Sequence, residues 1–270
     1  MLCDHHAVET LKTPQTSTRR VRRGDILRNE VLLVLGVSLG QSAVYSVVSL
    51  IAKLTEETPL SQQTTAMNTS QAPGRPWLDL TYQLLGVLFA IVPALLAVHL
   101  LNRDDPGARA DFGLDRTRPW FDLGTGAALA AVIGLPGLGL YVLSRELGVN
   151  TTVAAANLPD VWWAVPVLIL AAVANGVLEE FVVVGYLMTR LRELGWRTWY
   201  AIAASALLRG SYHLYQGIGA FVGNALMGAV FALFFHRTRR VVPLVIAHAL
   251  LDVAAFVGYS ALRGRVGFLS

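Results

Sequence analysis

Two adjacent glutamates, Glu179 and Glu180, interrupt a strongly apolar run from Val161 to Met188. The run is long enough to cross a bilayer, where unpartnered carboxylates are expensive and therefore functional by default. Two later apolar runs carry Arg209 with His213 and His248 with Asp252, each pair one helical turn apart. Carboxylate and imidazole together in a water-poor pocket can take a proton from water, and cationic or imidazole donors can stabilise the anion that forms. The alternatives left open by residue type alone are an ion-pair network that holds helices together, a proton relay, and an open zinc site built from two Glu and two His.

Helical spacing predicts which groups share a face. Asn175 falls below Glu179, and Ser205, Arg209, His213 and Gln216 extend one polar stripe, to which the following run adds Asn224. At the α-helical rise, the distances from the expected cytoplasmic ends are roughly 15 Å for Glu179 and Glu180, roughly 11 and 17 Å for His248 and Asp252, and roughly 15 and 21 Å for Arg209 and His213. All lie in one middle layer. Asn224 alone reads as helix-packing glue as well as a supporting site residue.

The elements that must position these groups follow from composition. Hydrophobic residues make up 54% of the 270 and charged residues only 15%, with mean hydropathy +0.52. A soluble domain carries nearer a quarter charged residues, so the chain reads as an integral membrane protein. A net charge of +4 could suggest nucleic acid, but the arginines sit at the ends of apolar runs, where topology explains them. No nucleic-acid partner is expected. The single cysteine, Cys3, allows no internal disulfide. With Lys12 and Lys53 the only lysines and alanine abundant, the composition suggests a bacterial source.

Seven apolar runs follow a polar, basic tail, near 30–53, 80–101, 121–143, 162–188, 199–216, 218–235 and 241–260. The expected fold is an all-α polytopic transmembrane bundle of about seven spans, with the motif-bearing core in the last four. The expected divisions are a polar cytoplasmic tail (1–28), N-terminal spans and a surface connector (29–120), the core (121–260) and a tail (261–270). Arginine-rich segments before the first run, at 102–120, at 189–197 and at 237–240 alternate with arginine-poor ones. The positive-inside rule then predicts a cytoplasmic N-terminus in a cell membrane, although it leaves Arg263 and Arg265 outside. The tail, with its His5-His6 pair, is expected to be solvated or surface-associated, and Trp162, Trp163, Trp196 and Trp199 to be interfacial anchors. Phe112-Gly-Leu and Pro119-Trp-Phe mark the connector as amphipathic, and Asn68-Thr-Ser and Asn150-Thr-Thr match glycosylation acceptors that mean little in a bacterium.

Glu179-Glu180-Phe-Val-Val-Val-Gly185, then His213, then His248-Ala-Leu-Leu-Asp252 resembles the CPBP family of intramembrane glutamic endopeptidases, the CAAX-protease and bacteriocin-processing group. The order and spacing match over roughly the last hundred residues before the tail. Two positions depart from the family pattern. Val184 stands where an arginine follows the Glu pair, and Arg209 stands where a phenylalanine precedes the histidine by four. The pattern implies that Arg209 supplies the cation the family draws from the preceding helix.

The resemblance implies a metal-independent peptidase acting on a membrane-embedded or lipidated peptide within the bilayer. Glu179 with His213 would activate water, and Glu180 paired with Arg209 would hold charge and geometry. His248 and Asp252 would stabilise the oxyanion, for which an ionised aspartate must be protonated or else act by orienting His248. No cofactor is implied, with zinc as the alternative. The competing functions are a catalytically silent relative that binds a membrane partner, a metal-dependent hydrolase and a proton-coupled carrier.

Overall fold

The computed structural model describes residues 15–107 and 112–263, with side chains from Arg23 onward. The elements in chain order are α1 (Gln15–Gly36), α2 (Leu39–Leu54), β1 (Thr64–Ala66), α3 (Pro76–Asp104), α4 (Pro119–Glu146), β2 (Thr152–Ala154), α5 (Ala164–Glu179), a π-helix (Glu180–Tyr186), α6 (Leu187–Glu193), α7 (Thr198–Ser211), α8 (Ile218–Thr238) and α9 (Val242–Leu262). The protein is an all-α, polytopic helical bundle. Helices α3 and α4 open on Pro76 and Pro119, where a missing N–H leaves nothing unsatisfied. Pro93 and Pro136 lie inside those helices, as membrane helices tolerate. Val132 and Leu135 on α4 are 70% and 77% exposed, an apolar exterior suited to lipid rather than water.

About seven spans are expected. Among the described residues, five helical stretches are long and apolar enough to cross a membrane, or six if the bent pair Arg23–Gly36 and Leu39–Leu54 is one span. The 53° bend sits at Ser38, whose hydroxyl donates to the Val34 carbonyl at 2.6 Å and so diverts that carbonyl from the helical ladder. The expected run 199–216 drops out because α7 closes at Ser211 after 14 residues, about 21 Å of helix. Within the expected polar tail of residues 1–28, α1 is already helical from Gln15. Cys3, His5, His6, Arg109 and Arg265 lie outside the described residues.

The connectors gather at two opposite ends. At the end nearest the start of α1, Arg190 is fully buried and bridges Glu30 at 2.9 Å, Asp104 at 2.8 Å and Glu193 at 2.8 Å. Alongside, Arg240 in the α8–α9 turn holds Asp122 at 2.7 Å and Asp115 at 3.0 Å, and the Val241 amide donates to the Phe112 carbonyl at 2.9 Å. The connector expected at the membrane surface is thus pinned inward. Phe112 is buried, packs at a tilt against Phe235 with ring centroids 5.8 Å apart and joins a core of Val182, Val183, Val184, Tyr186, Phe231 and Leu244.

At the other end, β1 and β2 pair in parallel, Thr64 with Thr152 through Ala66 with Ala154. The Thr151 amide donates to the Gln216 carbonyl at 2.9 Å, and the Tyr215 amide donates to the Ser46 hydroxyl at 2.7 Å. Asn150 is buried and its Oδ1 accepts the Ala220 amide at 2.9 Å, while Asn68 donates to the Ala155 carbonyl at 2.8 Å. Both asparagines of the apparent glycosylation triplets are therefore structural. Of the four tryptophans expected as anchors, Trp163 is instead buried in a second apolar cluster with Val167, Leu168 and Phe256.

Candidate active site within the bundle

The carboxylate pair sits at a change of helix type. Glu179 ends α5, and Glu180 begins seven residues of π-helix. Ser205 on α7 donates to the Val183 carbonyl within the wider turn at 2.9 Å. Such π segments cluster at functional sites because they re-aim side chains. Gly185 lies within it, pressed so closely by the Phe112 ring that a Cβ there would overlap it.

Arg209 and His248 converge on one oxygen. The Arg209 Nη2 donates to Glu180 Oε1, and His248 Nδ1 lies 2.6 Å from the same atom. Arg209 Nη1 is also 3.5 Å from Glu179 Oε2, and its guanidinium lies over the Phe231 ring at 5.4 Å. Neither Arg209 nor Glu180 has exposed side-chain surface. An ion pair so desolvated persists only when its geometry and hydrogen bonds are good. The Tyr212 hydroxyl donates to Glu179 Oε2 at 2.7 Å. His248 Nε2 is 3.9 Å from Glu179 Oε2 and 3.8 Å from Asp252 Oδ1, too long for hydrogen bonds but close enough for strong electrostatic coupling.

Asp252 is held by Asn175, whose Nδ2 donates to Oδ2 at 3.1 Å. His213 turns Nδ1 toward the Arg209 carbonyl at 3.0 Å, with its ring 4.8 Å from that of Tyr212. A carbonyl oxygen only accepts, so Nδ1 carries a proton, and in the neutral form of the ring Nε2 offers a lone pair. Asn224 donates to the Ala220 carbonyl of its own helix at 3.0 Å and takes no part in the ion-pair cluster. Val184 is fully buried in the apolar core.

A cavity of about 290 Å³ adjoins these groups, lined by His213, Asn224, His248 and Asp252 together with Asn150 and Gly219. The structure thus gathers Glu179, Glu180, Arg209, His248 and Asp252 into one connected cluster, with His213 and Asn224 on the wall of the same cavity. Sequence reasoning missed Tyr212. Its only signal was its place beside His213, which helical spacing puts on a different face; α7 ends at Ser211, and the turn that follows swings the phenol inward.

Glu179, Glu180 and His248 offer ligand atoms within 4.8 Å of one another, the spacing of a metal-binding triad. Glu180 Oε1, Glu179 Oε2 and His248 Nδ1 are already engaged, whereas the buried Glu180 Oε2 has no hydrogen-bond partner. A dication here would sit beside the Arg209 guanidinium, so the cluster fits a metal poorly.

Residues 161–254 match the family model described as type II CAAX prenyl endopeptidase Rce1-like. No curated protein and no solved structure matches the chain.

Proposed function

Because residues 161–254 match the family model of type II CAAX prenyl endopeptidases, we propose that this protein hydrolyses a peptide bond of a membrane-embedded or lipid-anchored substrate, using water activated by Glu179 and His213. The observation that carries this reading is the convergence of Glu179, Glu180, Arg209 and His248 beside a cavity also walled by His213.

In the proposed reaction, Glu179 and the Nε2 lone pair of His213 hold the water and take its proton as its oxygen attacks the scissile carbonyl. Tyr212 keeps the Glu179 carboxylate oriented. Glu180 stays ionised against Arg209 and anchors the His248 ring through Nδ1. Three carboxylates surround that ring, a setting that suits an imidazolium donating from Nε2 to the tetrahedral oxyanion. Asp252, which accepts from Asn175, acts by setting the field at His248 rather than by donating itself. The proton taken from water then passes to the leaving amine.

Incubation of the purified protein with a library of membrane-inserted peptides, read by mass spectrometry of new termini, tests this. Cleavage by wild type and its loss of about 10²–10⁴-fold in Glu179→Gln are expected, with 1,10-phenanthroline without effect. Products identical in wild type and Glu179→Gln would reject the assignment, and abolition by chelator would move the site to the metal-dependent class.

A further inference from the structure

The two ends of the bundle are closed to different degrees around the carboxylate pair. Toward the Arg190 end, the described residues just beyond the site are packed solid. Val182, Val183, Val184, Phe231, Phe235 and Leu244 are each fully buried, with Phe112 wedged against Gly185 below them. Beyond that plug lie the Arg190 and Arg240 ion-pair clusters, which tie α1, α3, α4 and the α8–α9 turn together.

The cavity lies on the opposite side of the site. It takes its α4 wall from residues 133–141, in the half of that helix nearest β2, and its α8 wall from 219–227, in the half nearest the Gln216 turn. Asn150 and Gln216, both hydrogen-bonded within the β1–β2 end, also line it. Gly134, Gly137, Gly219 and Gly223 also line it, and Gly219 lets α8 approach the Ser144 side chain of α4.

Charge distinguishes the two ends as sharply as packing does. The segments at the plugged end hold Arg23, Arg28, Arg103, Arg116, Arg118, Arg190, Arg192, Arg197, Arg237, Arg239 and Arg240, whereas among the described residues the β1–β2 end holds Lys53, Arg75 and Arg145 near the helix ends, with Arg263 after α9. Such asymmetry orients the arginine-rich end to the cytoplasm.

We infer that the site is reached from the extracytoplasmic side, through the cavity between α4, α8 and α9, and that its substrate is a lipid-anchored or membrane-inserted polypeptide whose scissile bond lies on that face. Only the substrate's being cleaved rests on the peptidase reading; the direction of access does not. A polypeptide carrying its lipid in the cytoplasmic leaflet meets the plug rather than the cavity.

Cysteine accessibility tests this without any turnover, so its failure is separable from failure of the peptidase reading. In a Cys3→Ser background, which removes the single native thiol, Ala220→Cys and Leu140→Cys place thiols on the cavity wall and Arg237→Cys places one at the plugged end. A membrane-impermeant maleimide is applied to right-side-out and inverted membrane vesicles. The cavity thiols are expected to label at least about tenfold faster in right-side-out vesicles, and Arg237→Cys at least about tenfold faster in inverted ones. Cavity thiols labelled from the Arg237 side, or Arg237→Cys labelled from outside, would overturn the inference. So would cavity thiols that react only after detergent. Labelling of the two cavity positions from different sides would overturn it as well.

Discussion

Arg209 and Glu180, 29 positions apart in sequence, form an ion pair with no exposed side-chain surface on either partner. Removing the cation strands a buried carboxylate, a change that typically costs about 3–5 kcal/mol. Arg209→Val is therefore expected to lower the detergent-solubilised melting temperature sharply. Adding Val184→Arg to that variant should restore a large part of the loss if the two positions are alternative sources of one cation. Fluorescence-monitored melts of the three proteins decide it, and no recovery in the double variant would reject the exchange.

Tyr212→Phe keeps the ring and deletes a single hydrogen bond to Glu179. Hydrogen bonds to charged groups contribute about 1.5–3 kcal/mol, so kcat is expected to fall roughly ten- to a hundredfold. KM should stay nearly constant, because the phenol bonds Glu179 and not the substrate. A KM effect with kcat unchanged would reassign Tyr212 to substrate binding.

The clamp at the arginine-rich end has a definite pH signature. The Thr117 hydroxyl, the Arg240 guanidinium and the Thr117 amide together hold the Asp115 carboxyl down at about 2. An unfolded aspartate titrates near about 3.9, so this contribution is complete above that value and vanishes as pH falls through the folded one. Wild type should lose a stability advantage over Asp115→Asn between about pH 4 and 2. Unfolding midpoints measured in parallel would refute this if their difference stayed constant with pH.

Gly185→Ala is expected to destabilise by about 1–3 kcal/mol, since its Cβ would overlap the Phe112 ring. Phe112→Leu should relieve the overlap, making the double variant more stable than the sum of the single effects predicts. Additive melting shifts in a double-mutant cycle would mean the connector and the π-helix are not coupled.

How much of this was legible beforehand can be judged residue by residue. Glu179, Glu180, Arg209, His248 and Asp252 were readable because ionisable groups inside apolar runs have few places to go, and the Arg209–Glu180 pairing followed from charge alone. The fate of the Asn175 amide was not readable. Spacing put it beneath Glu179, yet it bonds Asp252 on another helix, because the π-helix starts just above and helical periodicity says nothing about cross-helix partners. The end of the run 199–216 was hidden for a related reason. The helix closes at Ser211 and the backbone then turns, with Gly217 at φ 126 where any Cβ would meet the Val149 carbonyl. Trp163 and Phe112 escaped because an aromatic near a run's end reads the same whether it faces headgroups or a core.

The π-helix makes the bundle unusually sensitive to chain length at one point. Between Glu180, which faces the Arg209 guanidinium, and Arg190, which locks α1 and α3, the only route is through that widened turn. Deleting one residue from Val182–Val184 would return the backbone to regular α phase, yet swing Arg190 off its acidic partners. The irregular turn thus works as a phase adapter between a reactive layer and an anchoring layer, letting each keep its own rotational setting along one continuous helix.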